Sequence, residues 1–465
     1  MASNLVLGVP PTVLELQQKG LIERAFHDGL FPNLAFRAEA MAEEWPANTG
    51  TEMFMSRPGL LTPIVKPLAV GADPQPQQVT FEQWSATLQQ FSGAIDTHIP
   101  TSATAAANLF LRNIHQLGLQ AGQSINRIAR NQLFQSYLSG QTMLTAVTAA
   151  TDTQIAVASL NGFTDVVIAG TNVAPKPVSA ANPLPIKLGP TGATSCSVVG
   201  AIPNDPADPL GPGVLLLAAQ VGAIVATRAL VKSNFAPRLI RTGGGATIDA
   251  LTSAQTVTLQ DVINAVAQLR RANVQPHPDG FYHAHISSIA NSQFFADPVF
   301  QRLNQSLPEH VIYKEGFIGT ISGVMFFLNN EAPEQTNVGT LVSTGTNAKY
   351  APELGADAVN ETSINVGRIL VTGRGSIYEK YLNEDAFVTE AGLNGKVGEF
   401  DVVNNNVAVL TERIRLVLRA PMDRLQQVVG AAWSISTSFP VPSDLTAPSG
   451  PERFKRAIVI EHALV

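Results

Sequence analysis

The sequence has little cysteine and little charge. Cys196 is the only cysteine among 465 residues, so the chain cannot form an internal disulfide or a metal cage of several thiolates. Charged residues make up 14% of the chain, against about 25% in an average soluble protein. Because a buried charge carries a desolvation penalty unless it is paired, a mostly neutral surface suits repeated burial against copies of the same chain.

The net charge has the wrong sign for a broad nucleic-acid surface. The formal net charge is -6 and the sequence pI is about 5.8, whereas binding phosphates without sequence preference needs clustered lysine and arginine.

The N-terminal residues lack the basic region and long apolar core of a signal peptide. The most apolar run, residues 213–227, is shorter than the roughly 20 residues of a membrane span and contains Gln220. We expect this run to be a buried helix.

Catalytic motifs are missing as well. The glycine stretches at 241–247 and 371–376 do not match a phosphate-binding loop, and neither has the sequence context of a dinucleotide site. No G-x-S-x-G nucleophile elbow is present. We assign no catalytic residue, cofactor-binding residue or metal ligand, and no cofactor. We interpret the glycine stretches as turns that contain hinge candidates: Gly243, Gly244, Gly245, Gly373 and Gly375.

One histidine cluster could bind a metal in principle. His283 and His285 alternate on a predicted strand at 281–287, and His277 shortly precedes them. Imidazoles on one face of a strand are possible zinc ligands. However, an H-x-H pair without an H-E-x-x-H motif or a third spaced ligand is more typical of ordinary packing or of the surface. An enzyme with a metal or acid/base site near residues 277–285 is therefore the weakest functional alternative.

The dominant pattern in the sequence is a long helix at residues 101–140. Its apolar residues recur at steps of three and four, which places them on one helix face. Pro100 and Ser102 supply a start signal and Gly140 a stop signal. A helix of about 40 residues would be roughly 60 Å long. We predict a structural spine that packs under a sheet of the same chain; the alternative is a free coiled coil, for which the heptad spacing is not tightly sustained. The apolar face consists of Phe110, Ile114, Leu117, Ala121, Ile125 and Ile128.

Two segments before this helix are too short or too extended to fold alone. Residues 1–50 contain short helical pieces interrupted by proline and glycine, which is typical of an arm that packs on another surface. Residues 51–98 contain two extended stretches around a tip rich in proline and glutamine, which predicts a long hairpin or extended loop. Because an isolated hairpin is marginally stable in water, we expect both segments to lie on a neighbour.

The rest of the chain divides into four parts and predicts an α+β fold. Residues 99–150 hold the spine helix and the start of one domain, and residues 151–235 form a low-charge block that suggests an insertion domain. Residues 236–375 combine a capped helix, a strand, a further helix and a glycine-rich strand pair. Residues 376–465 contain three strands that we expect to contribute to the sheet under the spine helix.

A few residues on the loop and the helix are candidates for contacts between subunits. Arg57 and Lys66 are the main charges of the loop; the alternative is that they are solvated turn residues. The arginines on the polar face of the helix are expected to face solvent or a neighbouring subunit. The complete set of candidates is Arg57, Lys66, Trp84, Arg112, Arg127 and Arg130.

The order of these parts resembles a known family. The segment MSRPGLLTPIVKPLAVGADPQPQQVTFEQWSATLQQFSGAIDTHIP precedes the helix, which ends in RNQLFQSYLSG. Further along the chain, DGFYHAHISSIANSQFF is followed by EGFIGTISGVMFFLNNEAPE. This succession is similar to the major capsid proteins of tailed bacteriophages with the Hong Kong 97 fold, in particular to the N4-like coat proteins. The resemblance does not include residues 151–235.

The resemblance implies a Hong Kong 97-type fold with an N-terminal arm (1–50), an extended loop (51–98), an axial domain (236–375) and a peripheral domain. The peripheral domain would combine residues 99–150 with the C-terminal strands of 376–465. The implied function is structural and not enzymatic: the chain would assemble into hexamers and pentamers of an icosahedral head.

The resemblance also implies partners and a location. The head would enclose double-stranded DNA without sequence-specific contacts, and the chain would meet no membrane. Scaffold, portal and decoration proteins are possible further partners; because no long charged segment precedes the arm, we expect a separate scaffold or none. The protein would be located in the virion capsid after assembly in the host cytoplasm.

An encapsulin-like shell stays open as a second function. Such a compartment shell has the same implied fold but loads protein cargo instead of DNA. Electron microscopy of the purified protein separates either shell from the enzyme alternative, and the contents of the particles separate the two shells.

Overall fold

A computed structural model describes two compact units of the chain, which we treat separately. The first comprises Met1–Met53, Ser85–Arg130 and Ile377–Pro440, and the second comprises Phe54–Trp84, Asn131–Ser376 and Val441–Val465. Within these ranges the structure describes residues 21–30, 35–46, 49–59, 61, 63–69, 71–104, 109–167, 172–189, 192–226, 229–246, 248, 251–305, 319–329, 331–332, 365–382, 406–411, 413–419, 425, 427–444 and 453–464.

The described helices and strands are as follows. The helices are α1 (Leu21–Leu30), α2 (Ile99–Thr104), α3 (Leu109–Tyr137), α4 (Leu259–Arg271), α5 (Ser288–Ala296) and α6 (Pro298–Gln305). The strands are β1 (Met41–Glu44), β2 (Glu52–Pro58), β3 (Phe81–Thr87), β4 (Gln89–His98), β5 (Gln141–Met143), β6 (Gln154–Val157), β7 (Asp165–Val167), β8 (Asn172–Val173), β9 (Pro175–Pro177), β10 (Leu184–Leu188), β11 (Thr194–Pro203), β12 (Gly213–Leu217), β13 (Leu230–Ser233), β14 (Leu239–Arg241), β15 (Tyr282–Ile286), β16 (Thr320–Ile321), β17 (Val324–Leu328), β18 (Asn365–Thr372), β19 (Tyr378–Tyr381), β20 (Asn406–Thr411), β21 (Ile414–Arg419), β22 (Val428–Ser438) and β23 (Ala457–Leu464). Among the helices in the described ranges, none combines the length and the apolar character that a membrane crossing requires.

A mixed sheet forms the centre of the first unit. Its strands are ordered β1-β19-β22-β21-β20, and β4 also pairs with β22. Alternate residues of β22 are buried, and on β21 the buried residues are Ile414, Leu416 and Leu418. Two of the three C-terminal strands predicted for this sheet are therefore confirmed. Strand β4 runs antiparallel to β22 along its whole length. Residues 89–98 therefore belong to this sheet, and the extended loop is shorter than the predicted 51–98.

The predicted spine helix appears as α2 and α3, and residues 105–108 lie outside the described part of the chain. Five of its six predicted apolar residues are buried, and Ile128 is half-buried. The helix packs on the sheet of its own unit, as predicted: Asn113 Nδ2 donates to Thr97 Oγ1 at 2.8 Å, and Trp433 Nε1 donates to Gln120 Oε1 at 3.5 Å.

The described part of the arm packs on α3 and on the sheet. Helix α1 confirms a helical piece of the arm, and it approaches α3 so closely that a Cβ at Gly118 would lie 2.3 Å from the carbonyl oxygen of Phe26. The second predicted helical piece is wrong: after a single 3-10 turn at Arg37–Glu39 the chain forms β1, parallel to β19. Backbone pairing with β19 overrides the local helical preference of this short segment. Residues 1–20 lie outside the described part.

A second mixed sheet lies in the second unit, with the order β14-β23-β18-β15-β17-β16. Helices α4, α5 and α6 contribute to the core around this sheet. The predicted α4, with its capping box of Thr258 and Asp261, and the predicted strand β15 are both confirmed. The C-terminal strand β23 lies between β14 and β18, so residues 457–464 do not join the sheet under the spine helix. That expectation was wrong because an apolar strand does not specify which sheet receives it.

The predicted insertion domain is a six-stranded barrel. Its strands are ordered β5-β13-β10-β11-β12-β6, and β6 returns to the end of β5 through the Leu144–Val157 bridge and a hydrogen bond from Ala158 N to Met143 O at 3.0 Å. The barrel therefore begins at β5, before the predicted boundary of 151.

The helix expected at 213–227 is wrong. Strand β12 occupies the first part of this run, pairs with a strand on each side, and has alternate residues buried. A short apolar run has the same sequence pattern in a buried helix as in a buried strand. The α+β class is confirmed.

The crossing of α1 and α3 leads to a prediction. Alanine normally favours a helix over glycine by about 1 kcal/mol, but at Gly118 its Cβ would collide with the backbone of α1. We expect Gly118→Ala to lower the free energy of unfolding of the unassembled chain by about 1–3 kcal/mol, measured by denaturant titration. Gln123→Ala, at an exposed position of the same helix, is the control. A Gly118→Ala variant more stable than the wild type would contradict the close crossing.

Candidate functional site: the extended loop and its base

The extended loop is a hairpin of β2 and β3 with a long irregular tip. Leu88 N donates to Thr51 O at 2.8 Å, and Gly59 N donates to Thr80 O at 2.7 Å. These two hydrogen bonds join the segments that flank β2 and β3, one at each end of the paired strands. The described residues between 61 and 78 form no helix or strand, and they are all exposed.

The loop exposes large apolar side chains. Ile64 is 77% exposed and Val65 is 87% exposed. We call the following set the loop surface: Phe54, Leu61, Ile64, Val65 and Leu68. Single exposed apolar residues are normal on proteins, but several along one segment mark an interaction site. Lys66 lies among them and is also exposed, so the loop surface is apolar with one positive charge.

Buried charges fix the base of this loop. The carboxylate of Glu82 on β3 is fully buried and accepts hydrogen bonds from Ser443 Oγ at 2.6 Å, from the backbone N–H of Asp444, and from Arg57 Nη2 at 3.1 Å. Arg57 on β2 also bonds to Asp444 Oδ1, to which Arg456 Nε donates at 3.1 Å. We call Arg57, Glu82, Ser443, Asp444 and Arg456 the loop-base cluster.

The loop-base cluster joins the hairpin to a remote part of the second unit. Ser443 and Asp444 lie in the segment between β22 and β23, more than 350 residues from Glu82 in the sequence. Removing one partner of a buried ion pair typically destabilises a protein by about 3–5 kcal/mol, because the other charge is left uncompensated. The base of the loop is therefore held in place while its tip stays exposed.

The carboxyl of Asp444 in this cluster has a raised pKa. Burial raises the pKa of Asp444 to about 6; Arg57 and Lys455 lower it, and the neighbouring Glu82 raises it further. Two carboxylates at one buried site repel each other when both are charged. Asp444 also adopts a left-handed backbone conformation, with φ of 56°, which is uncommon for a residue other than glycine.

Three of the predicted contact candidates are held within their own chain. Arg57 belongs to the loop-base cluster, with its guanidinium 6.0 Å from the centre of the Trp84 ring, and Trp84 is buried. Arg130 is only 1% exposed, so the expectation that it faces solvent or a neighbour was wrong. The buried part of α3 widens towards its C-terminal half, where Asn126, Ala129 and Arg130 are all buried.

The other contact candidates are accessible. Arg112 and Lys66 are exposed, and Arg127 is half-buried. Their role in contacts between subunits stays a prediction. Trp84 is buried and lies beside Arg57 at the loop base, so it is not available on the surface of the single chain.

The predicted hinge glycines fall into three structural classes. Gly243, Gly244 and Gly375 have φ values of 75°, 77° and 71°, in the region that favours glycine. Gly245 has an extended backbone. At Gly373 a Cβ would lie 2.5 Å from Val274 Cγ1, so this glycine permits close packing. Their function as hinges stays a prediction.

The histidine cluster packs as a stack. The rings of His277 and His283 lie 3.9 Å apart, centre to centre, and only 7° from parallel. His283 Nε2 lies 2.7 Å from Asp279 Oδ2; burial would raise the pKa of Asp279, but hydrogen bonds from Phe281 N–H and His283 lower it below its usual value. A metal binds in the plane of an imidazole ring, so two parallel stacked rings direct their lone pairs into separate planes. This geometry favours the packing interpretation.

Two further buried charge clusters were not predicted from the sequence. In the first unit Glu379 accepts from Arg37 Nη2 at 2.7 Å and from Arg413 Nη1 at 3.0 Å. In the second unit Glu461 accepts from Arg241 Nε at 2.8 Å and Arg368 Nε at 3.3 Å, which lie opposite it on the two adjacent strands. A signal existed for the second cluster: Arg368 and Glu461 each interrupt an apolar strand sequence.

Comparisons with known proteins return phage capsids. No family model matches the sequence, and no curated protein matches it. Three solved structures to which the chain is similar are the capsid of cyanophage P-SCSP1u (11% identity, TM-score 0.46, covering 92% of this chain and 87% of that chain), the capsid of Ralstonia phage GP4 (12%, 0.46, 92% and 87%), and the capsid asymmetric unit of cyanophage Pam1 (10%, 0.47, 94% and 92%).

The buried carboxyl of Asp444 leads to a pH prediction. Its pKa of about 6 in the folded chain is above the ordinary 3.8, so folding takes up a proton between these values. The contribution of this group to stability therefore rises as the pH falls, by about 1 kcal/mol between about pH 7.5 and pH 5. Asparagine cannot titrate, so the free energy of unfolding of the wild type minus that of Asp444→Asn should rise by this amount over the same range.

This experiment has internal controls. Burial lowers the pKa of His462 to about 4, which removes stability as the pH falls from about 6.5 to 4, but His462 is present in both proteins and cancels in the difference. Asp73→Asn, at an exposed position of the loop, controls for the loss of one carboxylate. A wild-type minus Asp444→Asn difference that does not change with pH would contradict the raised pKa.

Proposed function

We propose that this chain is the major capsid protein of a tailed bacteriophage, which assembles into hexamers and pentamers of an icosahedral head around double-stranded DNA. The observation that carries the proposal is the extended loop: its base is held by buried charges, and its tip exposes an apolar surface to solvent. Such a surface requires a partner, and a second copy of the chain is the partner that a closed shell supplies to every subunit.

The energetics favour association through this loop. Burying one exposed isoleucine, leucine or valine side chain contributes about 1.5–3 kcal/mol, and the loop surface offers several such side chains. Because the base of the loop is already ordered by hydrogen bonds and ion pairs, less conformational entropy is lost when the loop meets a neighbour. A rigid base and an exposed apolar tip therefore suit a repeated contact between subunits.

The charge of the chain fits a container that does not bind its contents tightly. With a formal net charge of -6, the protein lacks the basic excess that would bind DNA phosphates strongly. We propose that packaged DNA makes no sequence-specific contact with the chain. Scaffold, portal and decoration proteins complete the proposed set of partners, in a virion head assembled in the host cytoplasm.

Electron microscopy of the purified protein tests this function directly. We expect regular closed particles under conditions that permit assembly, and nuclease-protected double-stranded DNA inside heads isolated from infected cells. Particles that contain a defined protein cargo and no DNA would support the encapsulin-like alternative. Monodisperse monomers under all assembly conditions would contradict both shells.

The loop surface leads to a specific assembly prediction. In the double variant Ile64→Ser and Val65→Ser, two exposed side chains lose the apolar area that a neighbour would cover. We expect the critical concentration for particle formation to rise at least about tenfold, since each 1.4 kcal/mol of lost contact energy is a factor of ten. Light scattering across a concentration series measures this value.

The matched control uses polar residues of the same loop. Gln75→Ser and Gln78→Ser change two exposed side chains nearby and should leave the critical concentration unchanged. The thermal unfolding of unassembled chains should be the same for both double variants, because all four positions are exposed. An unchanged critical concentration for the Ile64/Val65 variant would contradict the proposed role of the loop surface.

A further inference from the structure

The exposed face of α3 carries only arginine and glutamine. The exposed residues of this helix are Arg112, Gln116, Gln120 and Gln123, and the half-buried Arg127 continues the same row. Because successive residues are turned by about 100° around a helix axis, these five side chains project within an arc of about 80°. We call these five residues the helix stripe.

The helix stripe lies in the longest section of the chain without a carboxylate side chain. The sequence contains 36 Asp and Glu residues, but none lies within residues 97–151. On exposed helices, a carboxylate one turn away from an arginine commonly forms an ion pair with it. Here Gln116 stands one turn after Arg112, so the positive charge of Arg112 is not neutralised by an acid of its own helix.

We infer that the helix stripe contacts the phosphate backbone of the packaged double-stranded DNA; this inference rests on the proposed shell function. A guanidinium binds phosphate oxygens through its N–H groups, and glutamine side-chain amides donate to phosphate oxygens as well. A carboxylate in the same row would repel the phosphates, and the helix stripe has none. Phosphate contacts read no base, so this contact is independent of DNA sequence.

The spacing of the two arginines favours a duplex over an acidic protein segment. Arg112 and Arg127 are separated by about 22 Å along the helix axis. A folded protein partner would need two carboxylates at that separation. A duplex instead presents a phosphate about every 3.4 Å along each strand, whatever its register. Every copy of the chain in a shell can therefore use the same helix stripe on DNA that has no fixed register.

The composition of the helix stripe also limits its strength. Neutral glutamines outnumber the arginines, and the chain as a whole has a formal net charge of -6. A single stripe therefore binds a duplex weakly, because few counterions are released. Many copies around one packaged molecule add their contacts, which keeps the DNA against the shell without a strong local site.

Photocrosslinking in DNA-filled heads tests this inference. Benzoylphenylalanine, which forms covalent adducts with neighbouring C–H bonds under ultraviolet light, replaces Gln116 or Gln123 in chains that assemble in infected cells. The control replaces Gln260, an exposed glutamine of helix α4. Because a phosphate contact keeps the duplex beside the probe, we expect at least one stripe position to give at least about tenfold more protein–DNA adduct than position 260.

Each other outcome has a definite meaning. Heads in which neither stripe position exceeds position 260 would overturn the DNA contact and leave the shell function intact. Adducts of the stripe with a protein and none with DNA would show a different occupant and would also overturn it. Absence of particles from the wild-type chain, or particles without DNA, would contradict the proposed function itself.

The charge of the helix stripe is tested separately with the unassembled full-length chain, so that this result does not depend on assembly of the probe variants. Fluorescence anisotropy over a series of low salt concentrations measures binding to a random-sequence duplex. Each phosphate contact contributes about 0.9 to the slope of log affinity against log salt, so Arg112→Gln should reduce the slope by about 0.9. Arg271→Gln, at an exposed arginine that ends α4, should leave the slope unchanged. Equal slopes for the wild type and Arg112→Gln would overturn the phosphate contact.

Discussion

The structure depends on the rule that a buried charge must be paired. The chain contains few charged residues, and several of them meet in three buried clusters centred on Glu82, Glu379 and Glu461. Each of these carboxylates bonds to arginine from other segments of the chain: Glu379 to Arg37 of the arm, and Glu461 to both adjacent strands. Because breaking such a pair is far more unfavourable than never forming it, these clusters specify which segments must come together.

The loop surface has a different composition, because its exposed side chains are mainly apolar. The base of the loop is held by hydrogen bonds, and its tip presents exposed aliphatic side chains. In the shell that we propose, weak contacts through this surface would be repeated around a closed assembly and would add up without any single strong interface.

The sequence predicted the elements whose pattern is local and strong. The apolar face of α3, the C-terminal strands β21 and β22, and the capped helix α4 were each predicted correctly. Failures occurred where a partner decided the outcome. Residues 213–217 form a strand because β6 and β11 pair with them, and Arg130 is buried because α3 is covered on more than its apolar face.

By itself, the sequence determined the α+β class, the absence of internal disulfides, and the helices and strands whose pattern is local and strong. Only the tertiary structure decided that β23 lies between β14 and β18, that the strands from β5 to β13 close into a barrel, and that Arg57 anchors the loop base instead of reaching outward. The physical reason is that periodicity records which face of a segment is covered, whereas the covering segment and the partner of a buried charge lie far away in the sequence.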